Sequence, residues 1–489
     1  MKPATRNFAV LGACIVVLGG VLAGLLMTGG SEGDVVSSGV LEQPSEDIAL
    51  LNKEESDISS IEISNTNGLF TIVPAEKQPE TSAAGVSSQD ASSGEESVTF
   101  TIAELEGLPQ DTYTVNTAAE GGWKLFATKK IGTVSNPSEF GLSTPRATVH
   151  IRFQDGSTYG YVIGNTSAED SAAYYLRGVD SEEVYVVKLP ETYLDDKRTF
   201  LSRQVLDFSA LGDGTAAPFR RLVLDGKALT QPITLEQGQD GLYVMTEPNR
   251  METDEAEISG LTDMLSTLTA SEVAALHPDT TQLREYGLEN PINTVELYCT
   301  DGNTYLLKAG AGREGDRFLM LDGVDIVYRV AEDVIAPWVN ILKPFDVQDK
   351  ALLTGGVENV KSLSVTLEGG MVFRWDVART KDEEKSTEDT PYYNYAATDV
   401  AGAPVDYDRF QTLYRQFAAE TVLEEADGQP ETDPVLTVKV ETQDGSAAQE
   451  LVFYSSGERA CVAVLNGSVR GSVPRTDVDA LAAAVQGMA

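Results

Sequence analysis

Three residue types are scarce in this chain of 489 residues: it has two histidines, three cysteines and three tryptophans. With so few cysteines, widely spaced at Cys14, Cys299 and Cys461, no disulfide framework can be argued. His150 lies in an alternating apolar run and His277 in a "LHPD" segment, and neither has a partner at metal-ligand spacing. A histidine-built metal site and the many hydrolytic mechanisms that need an imidazole are therefore disfavoured, and no cofactor is expected. Positive charge is also short, with 36 Lys and Arg against 76 Asp and Glu, for a formal charge of −40. Such a field repels nucleic acid and anionic headgroups, so the main consequence of the acidity is a well-solvated surface.

Long apolar runs are absent except at the start, where Phe8 to Met27 contains twenty residues without a charge, enough to cross a hydrocarbon core as a helix. Lys2 and Arg6 precede it and acidic residues follow from Glu32, which places residues 1–7 in the cytoplasm and the remainder outside. A cleaved signal peptide is the competing reading, but its apolar region runs only about 7 to 15 residues, which favours an uncleaved anchor over 8–27. Leu11-Gly12-Ala13-Cys14 has the form of a lipoprotein box, yet thirteen apolar or small residues follow Cys14, so it reads as a membrane-buried thiol. Gly20 and Gly24 form a GxxxG spacing that would let two spans approach, a weak indication of dimerisation. Residues 28–57, rich in Ser, Gly and acid, read as a flexible tether with a reach of roughly 30 Å.

Beyond the tether the chain repeats itself. "GLSTPRATVHIRFQDGSTYGYVIG" from Gly141 recurs 146 residues later as "GLENPINTVELYCTDGNTYLLKAG", which brings Pro145 onto Pro291, Asp155 onto Asp301, Tyr159 onto Tyr305 and Gly164 onto Gly310. A third copy, "DPVLTVKVETQDGSAAQELVFY", places Pro434, Val438, Asp444 and Gly445 on Pro145, Val149, Asp155 and Gly156. Alternation such as Val149, Ile151, Phe153 predicts strands with one apolar face, and each Asp-Gly predicts a tight two-residue turn. Further strands, "AYYLRG" then "EEVYVVK" in the first copy, make the unit an antiparallel meander.

Upstream of each meander a strand, turn and strand begins near residues 58, 219 and 360. A helix follows in the second copy (Ile258, Leu261, Leu265, Leu268) and in the third (Tyr407, Phe410, Tyr414, Phe417, capped by Asp406). The first copy has Gly121-Gly122 at the corresponding place, which weakens the signal for its helix. Polar stretches from Glu76 and from Arg379 ("RTKDEEKSTEDTP") read as disordered hairpin tips. The expected fold is thus α+β and β-rich: one transmembrane helix, then three tandem antiparallel-sheet modules at 58–205, 216–348 and 358–487, each with a short helix and each closing its own apolar interior. Their junctions share a phrase, "DIALLNKEESDI", "KRTFLSRQVLDF" and "DKALLTGGVENV".

The pattern "YGL..P", strand, "DG.TY", strand ending in Gly, aromatic pair and "VY.V" resembles the bacterial family known as domain of unknown function 4340, most clearly over the first two modules. The third departs from it at Gly471, where a residue like Tyr185 or Tyr328 would stand. The resemblance implies one N-terminal span, tandem extracytoplasmic modules and, for some members, a setting beside ABC transporters of the gliding-motility type. It implies no catalytic residues.

Motifs for chemistry are weak. Gly310 to Gly315 spells GxGxxG, but a strand-like "DRFLMLDG" follows where a dinucleotide site needs a helix. Gly141-Leu142-Ser143 begins like a hydrolase elbow and ends at Pro145, which introduces a strand. Acid pairs such as Asp195-Asp196 and Glu383-Glu384 are unsurprising among 76 acids. Tyr159, Tyr161, Tyr174, Tyr175, Tyr185, Tyr305 and Tyr328 read first as shared packing and second as a surface strip for peptide or glycan. The function expected is a bacterial membrane-anchored binding or scaffold protein, accessory to a transporter or another envelope complex. The rival is an envelope hydrolase or glycan-processing enzyme using carboxylates in an intermodule cleft.

Overall fold

A computed structural model describes residues 47–75, 98–211, 217–387, 390–426, 430 and 432–488. The apolar run Phe8 to Met27, Cys14, the Gly20/Gly24 spacing and the polar stretch 76–97 lie outside the described residues. Among those described, no helix is long and apolar enough to cross a membrane.

The architecture is α+β and strand-rich, with three large antiparallel sheets and a two-stranded one. At the centre of each large sheet the first strand of the unit pairs with the first strand of its meander: Ile58–Asn65 with Ala147–Phe153, Phe219–Gly226 with Asn293–Cys299, and Val360–Leu367 with Pro434–Thr442. The upstream hairpin extends the sheet to one side of this pair and the meander extends it to the other, so this central order is the same three times; chain that follows the helix, Lys124–Thr133 and Glu272–Leu276, adds beyond the meander in the first two sheets and not among the described residues of the third. The register agrees to the residue: Ile61 faces Ile151, Leu222 faces Leu297 and Leu363 faces Val440. A bulge recurs at one place, between Ile58 and Ser60, Phe219 and Arg221, Val360 and Ser362. Because side chains alternate with a period of two, the extra residue reverses the facing at that point, which lets Ile58, Phe219 and Val360 be buried along with Ile61, Leu222 and Leu363.

The Asp-Gly turns differ from the two-residue form expected. Gly156 donates to Phe153 and Phe153 to Ser157, and Gly302 donates to Cys299 and Cys299 to Asn303, so each loop has three residues. Gly156 and Gly302 take positive φ (82° and 92°), while Asp155 and Asp301 do not. The Asp instead turns its carboxylate onto the amide two residues on, Ser157 or Asn303, an Asx turn that a primed two-residue loop would not allow.

The first unit also has its helix, Thr112–Glu120, capped by Asp111 and ended by Gly121-Gly122. A Cβ on Gly122 would lie 2.3 Å from the Ile61 Cδ1 atom, so the glycine serves a close contact at the helix end and does not interrupt the helix. The polar stretch from Arg379 is also ordered over most of its length. Strand Val372–Lys381 pairs with Tyr393–Asp399, Arg379 lies over the Tyr393 ring, and Asp382 takes Asn394 and the amides of Glu384 and Lys385. Cross-strand cation–aromatic contacts thus provide the stabilisation that composition alone did not suggest. A C-terminal helix, Arg475–Gln486, packs on Tyr407–Ala419.

The shared junction phrase forms a strap. Ile48–Asn52 pairs with Lys124–Thr133, Gln204–Asp207 with Thr267–Thr269, and Ala351 bridges Thr421, each time against the chain that leaves the helix, so the flexible tether expected over 28–57 is corrected from Ile48 on, where sheet hydrogen bonds hold the chain. Around the second strap, Phe200, Leu201, Val205, Leu206 and Phe208 are buried and join the interiors of the first two sheets into one apolar cluster, whereas the third keeps its own. The expectation of a closed interior per unit is therefore corrected for the first two, because the connecting chain is itself apolar.

Glycine explains two further sequence signals. A Cβ on Gly164 would lie 2.2 Å from the Phe140 carbonyl oxygen, and one on Gly310 2.1 Å from that of Tyr286. These close approaches seat the "FGL" and "YGL" corners, in which Phe140 packs on Tyr175 and Tyr286 on Phe318 at 4.8 and 4.5 Å. At Gly471 (φ 153°) a side chain would meet the Glu424 carbonyl 2.6 Å away and Val422, which accounts for glycine where the other units have Tyr185 and Tyr328. Gly310→Ala should cost about 1–3 kcal/mol or more through overpacking, against about 1–2 kcal/mol for Gly241→Ala, a positive-φ site with open space around it; urea transition midpoints compare the two.

The turn acid of the third unit gives a pH signature. Asp444 accepts from the Ser446 amide and hydroxyl and from Asn359, which holds its carboxyl below the usual range. A depressed folded-state pKa contributes stability above the unfolded value, near 4, that is lost as pH falls through the folded value. The midpoint difference between wild type and Asp444→Asn should be largest near pH 7 and shrink below about pH 4.

Candidate functional site

The motifs noted in sequence do not converge. His150 is exposed on its strand, and His277, in a left-handed conformation (φ 48°), sits 3.6 Å from the Asp325 carboxylate. Gly310 to Gly315 is strand Thr304–Arg313 and a turn at Glu314-Gly315 leading to strand Asp316–Leu321, so no helix N-terminus is available for a pyrophosphate. Leu142 is buried and Ser143 bonds to Ser138 in a 3₁₀ corner, not on an exposed elbow. Asp196 caps the turn at Lys197–Phe200 and pairs with Arg198, while burial raises the Asp195 carboxyl. Glu383 and Glu384 are exposed in the Asp382 turn. Tyr161, Tyr174 and Tyr328 are buried; Tyr159, Tyr175, Tyr185 and Tyr305 are half-buried. Tyr185 donates to Glu183, which also holds Lys130. Among the described residues no group of three or more potential metal-binding side chains comes together. Both described thiols are buried, and burial pushes Cys299 up to about 11.

What the structure does assemble is a cleft of about 1030 Å³ beside the second sheet, where the strap leads into the third. Helix Glu255–Ser266 forms one wall and strand Tyr243–Glu247 with its preceding turn another; Phe208 and Ser209 follow the second strap, and Asp349 and Thr354 come from the third. Its apolar surface comes from Phe208, Pro218, Leu242, Tyr243 and Ile258. Tyr243 is anchored from within: its hydroxyl donates to the Phe219 carbonyl, and burial raises the phenol strongly. Thr253 spans the edge, bridging Gln348 through the backbone and donating its hydroxyl to the Tyr243 carbonyl.

Six carboxylates line the cleft, Asp240, Glu252, Asp254, Glu255, Asp263 and Asp349, and among the described residues no Lys or Arg does. Three of them have a local task. Asp254 caps the helix through the amides of Ala256 and Glu257, Asp240 accepts from Leu242, and Asp349 accepts from Ala351. Glu255 lies in the first helical turn, where negative charge suits the dipole. Sequence reading passed over this set, though "METDEAEI" carried the signal: an acid run immediately before the first buried helix residue, Ile258.

The family model for a domain of unknown function, DUF4340, matches residues 244–436. The match starts at the strand that walls the cleft and ends in the central pair of the third sheet. It takes in part of the third unit, the most divergent by motif, and leaves out the first. No curated protein and no solved structure matches the chain.

Asp254→Ala should destabilise the protein by about 1 kcal/mol through loss of the cap, and Asp254→Asn, which keeps an acceptor, by much less; paired thermal melts measure the difference.

Proposed function

We propose that this chain is a membrane-anchored extracytoplasmic binding or scaffold protein. The observation that supports this most is repetition: one central strand pairing, extended by an upstream hairpin on one side and a meander on the other, built three times and joined by straps that bond to the units on either side. Asp111 donates its amide to Phe200 and Asp254 donates its amide to Val347, so chain from one unit is hydrogen-bonded to the lead-in of the next. Arg470 and Gln348 extend the same stitching between the third sheet and its strap. Repeated units of this kind build extended surfaces suited to partners. The run Phe8 to Met27, with Lys2 and Arg6 before it, supplies the anchor in this reading, and Gly20 with Gly24 a face on which two spans would meet. An ABC transporter of the gliding-motility type is the partner the family resemblance favours, with other envelope complexes as the broader class.

The hydrolase alternative would use the acid-lined cleft. Against it stands the scarcity of histidine, with two in the chain and none lining the cleft among the described residues.

The full chain is expected to sediment with membranes and resist alkaline extraction, while deletion of residues 8–27 should release it. Protease added outside spheroplasts should digest the folded units and spare a tag placed before residue 8. A chain that stays soluble with residues 8–27 intact would refute the anchor.

A further inference from the structure

We infer that the cleft between helix Glu255–Ser266 and the third strap is a docking groove for an extended basic segment of a partner protein, one that alternates Lys or Arg with apolar residues. This rests on the binding-protein reading above, and it names the chemistry of the partner.

The groove combines two features that a solvated acidic surface does not. Its lining includes the apolar residues Phe208, Pro218, Leu242, Tyr243 and Ile258, and of these Leu242 is left 47% exposed. Its carboxylates come from three separate stretches of chain, the turn at Asp240, the helix entry from Glu252 to Glu255 with Asp263 a turn or two on, and the strap at Asp349. None of the six forms an ion pair among the described residues, although cations elsewhere are closely matched, as in Lys129 with Glu169, Lys439 with Glu450 and Arg329 with Asp316. Asp240 and Asp349 each use one carboxylate oxygen on a backbone amide, which orients the group and leaves the other oxygen without a hydrogen bond among the described residues. A free acid could repel its neighbours without consequence in open solvent. Around an apolar lining, the same charges are best balanced by cations that arrive with an apolar surface to cover it. An extended strand supplies both, since successive side chains point to opposite sides, and a volume near 1000 Å³ accommodates several residues of it. An acidic or purely apolar partner would leave the six carboxylates uncompensated, and a lone polyamine would leave the apolar lining exposed.

The test uses full-length protein in maltoside micelles and a fluorescent heptapeptide alternating Lys and Val, read by anisotropy with empty micelles subtracted. A Glu-Val heptapeptide and an oligolysine of equal charge are the comparison probes. The cleft variant carries Asp240→Asn, Glu252→Gln and Asp349→Asn, which keeps the amide acceptors. A remote variant, Glu62→Gln, Glu106→Gln and Glu120→Gln, removes the same charge from exposed sites on the first unit. The expected result is Lys-Val binding that the cleft variant weakens tenfold or more and the remote variant less than twofold, with a further loss in Leu242→Ser and no Glu-Val binding. Equal weakening by both triple variants, or oligolysine binding as tight as Lys-Val, would show only the general field of an acidic protein and overturn the groove. So would no Lys-Val binding by a chain whose melt is normal. Because binding is measured in micelles, none of these outcomes depends on where the protein resides in the cell, and failure here leaves the anchoring question to the fractionation experiment.

Discussion

The structure depends on the antiparallel pairing of each unit's first strand with the first strand of its meander, in a register that includes one extra residue. That pairing joins chain segments separated by the whole upstream hairpin and helix, so it closes the unit; every other strand of the three large sheets adds to an edge it has already defined. Its bulge is equally consequential. By reversing which face a side chain takes, it buries Ile58, Phe219 and Val360 next to the strap, at the point where one unit is fastened to the chain before it.

From that closure the straps follow. Each lies against the chain leaving the helix, and the middle one brings enough apolar side chain, from Phe200 to Phe208, to fuse two interiors. The third strap does less of this: it makes an isolated bridge at Ala351, backbone bonds around Glu420 and Val422, and the contacts of Arg470 and Gln348. The cleft belongs to the same geometry, lying beside helix Glu255–Ser266 where the incoming strap joins the helix entry through Thr253 and Asp254.

Much of the fold was legible because its signals are local. Alternation at Val149, Ile151 and Phe153 reports one buried face, Asp406 before Tyr407 reports a cap, and the matching of Asp155, Asp301 and Asp444 reports equivalent turns. Where local signals misled, a tertiary contact had intervened. Gly121-Gly122 looked like a helix breaker and is a helix end pressed on Ile61; the charged stretch after Arg379 looked unstructured and is held by Tyr393 and Asn394 from the facing strand. The cleft was not legible, since its acids are scattered over more than a hundred residues and each has an ordinary local explanation.

By itself, the sequence determined that one β-rich unit recurs, where its turns and two of its helices lie, and that an uncharged run of membrane-spanning length precedes it all. These follow from periodicity and backbone preference, which act over a few residues. Only the tertiary structure decided that two of the connecting phrases are strands and the third a bridged strap, that two interiors merge, that Gly471 must lack a side chain, and that six carboxylates line one cleft with Leu242. Those depend on which distant segments touch, and that is settled by burial and register across the whole chain.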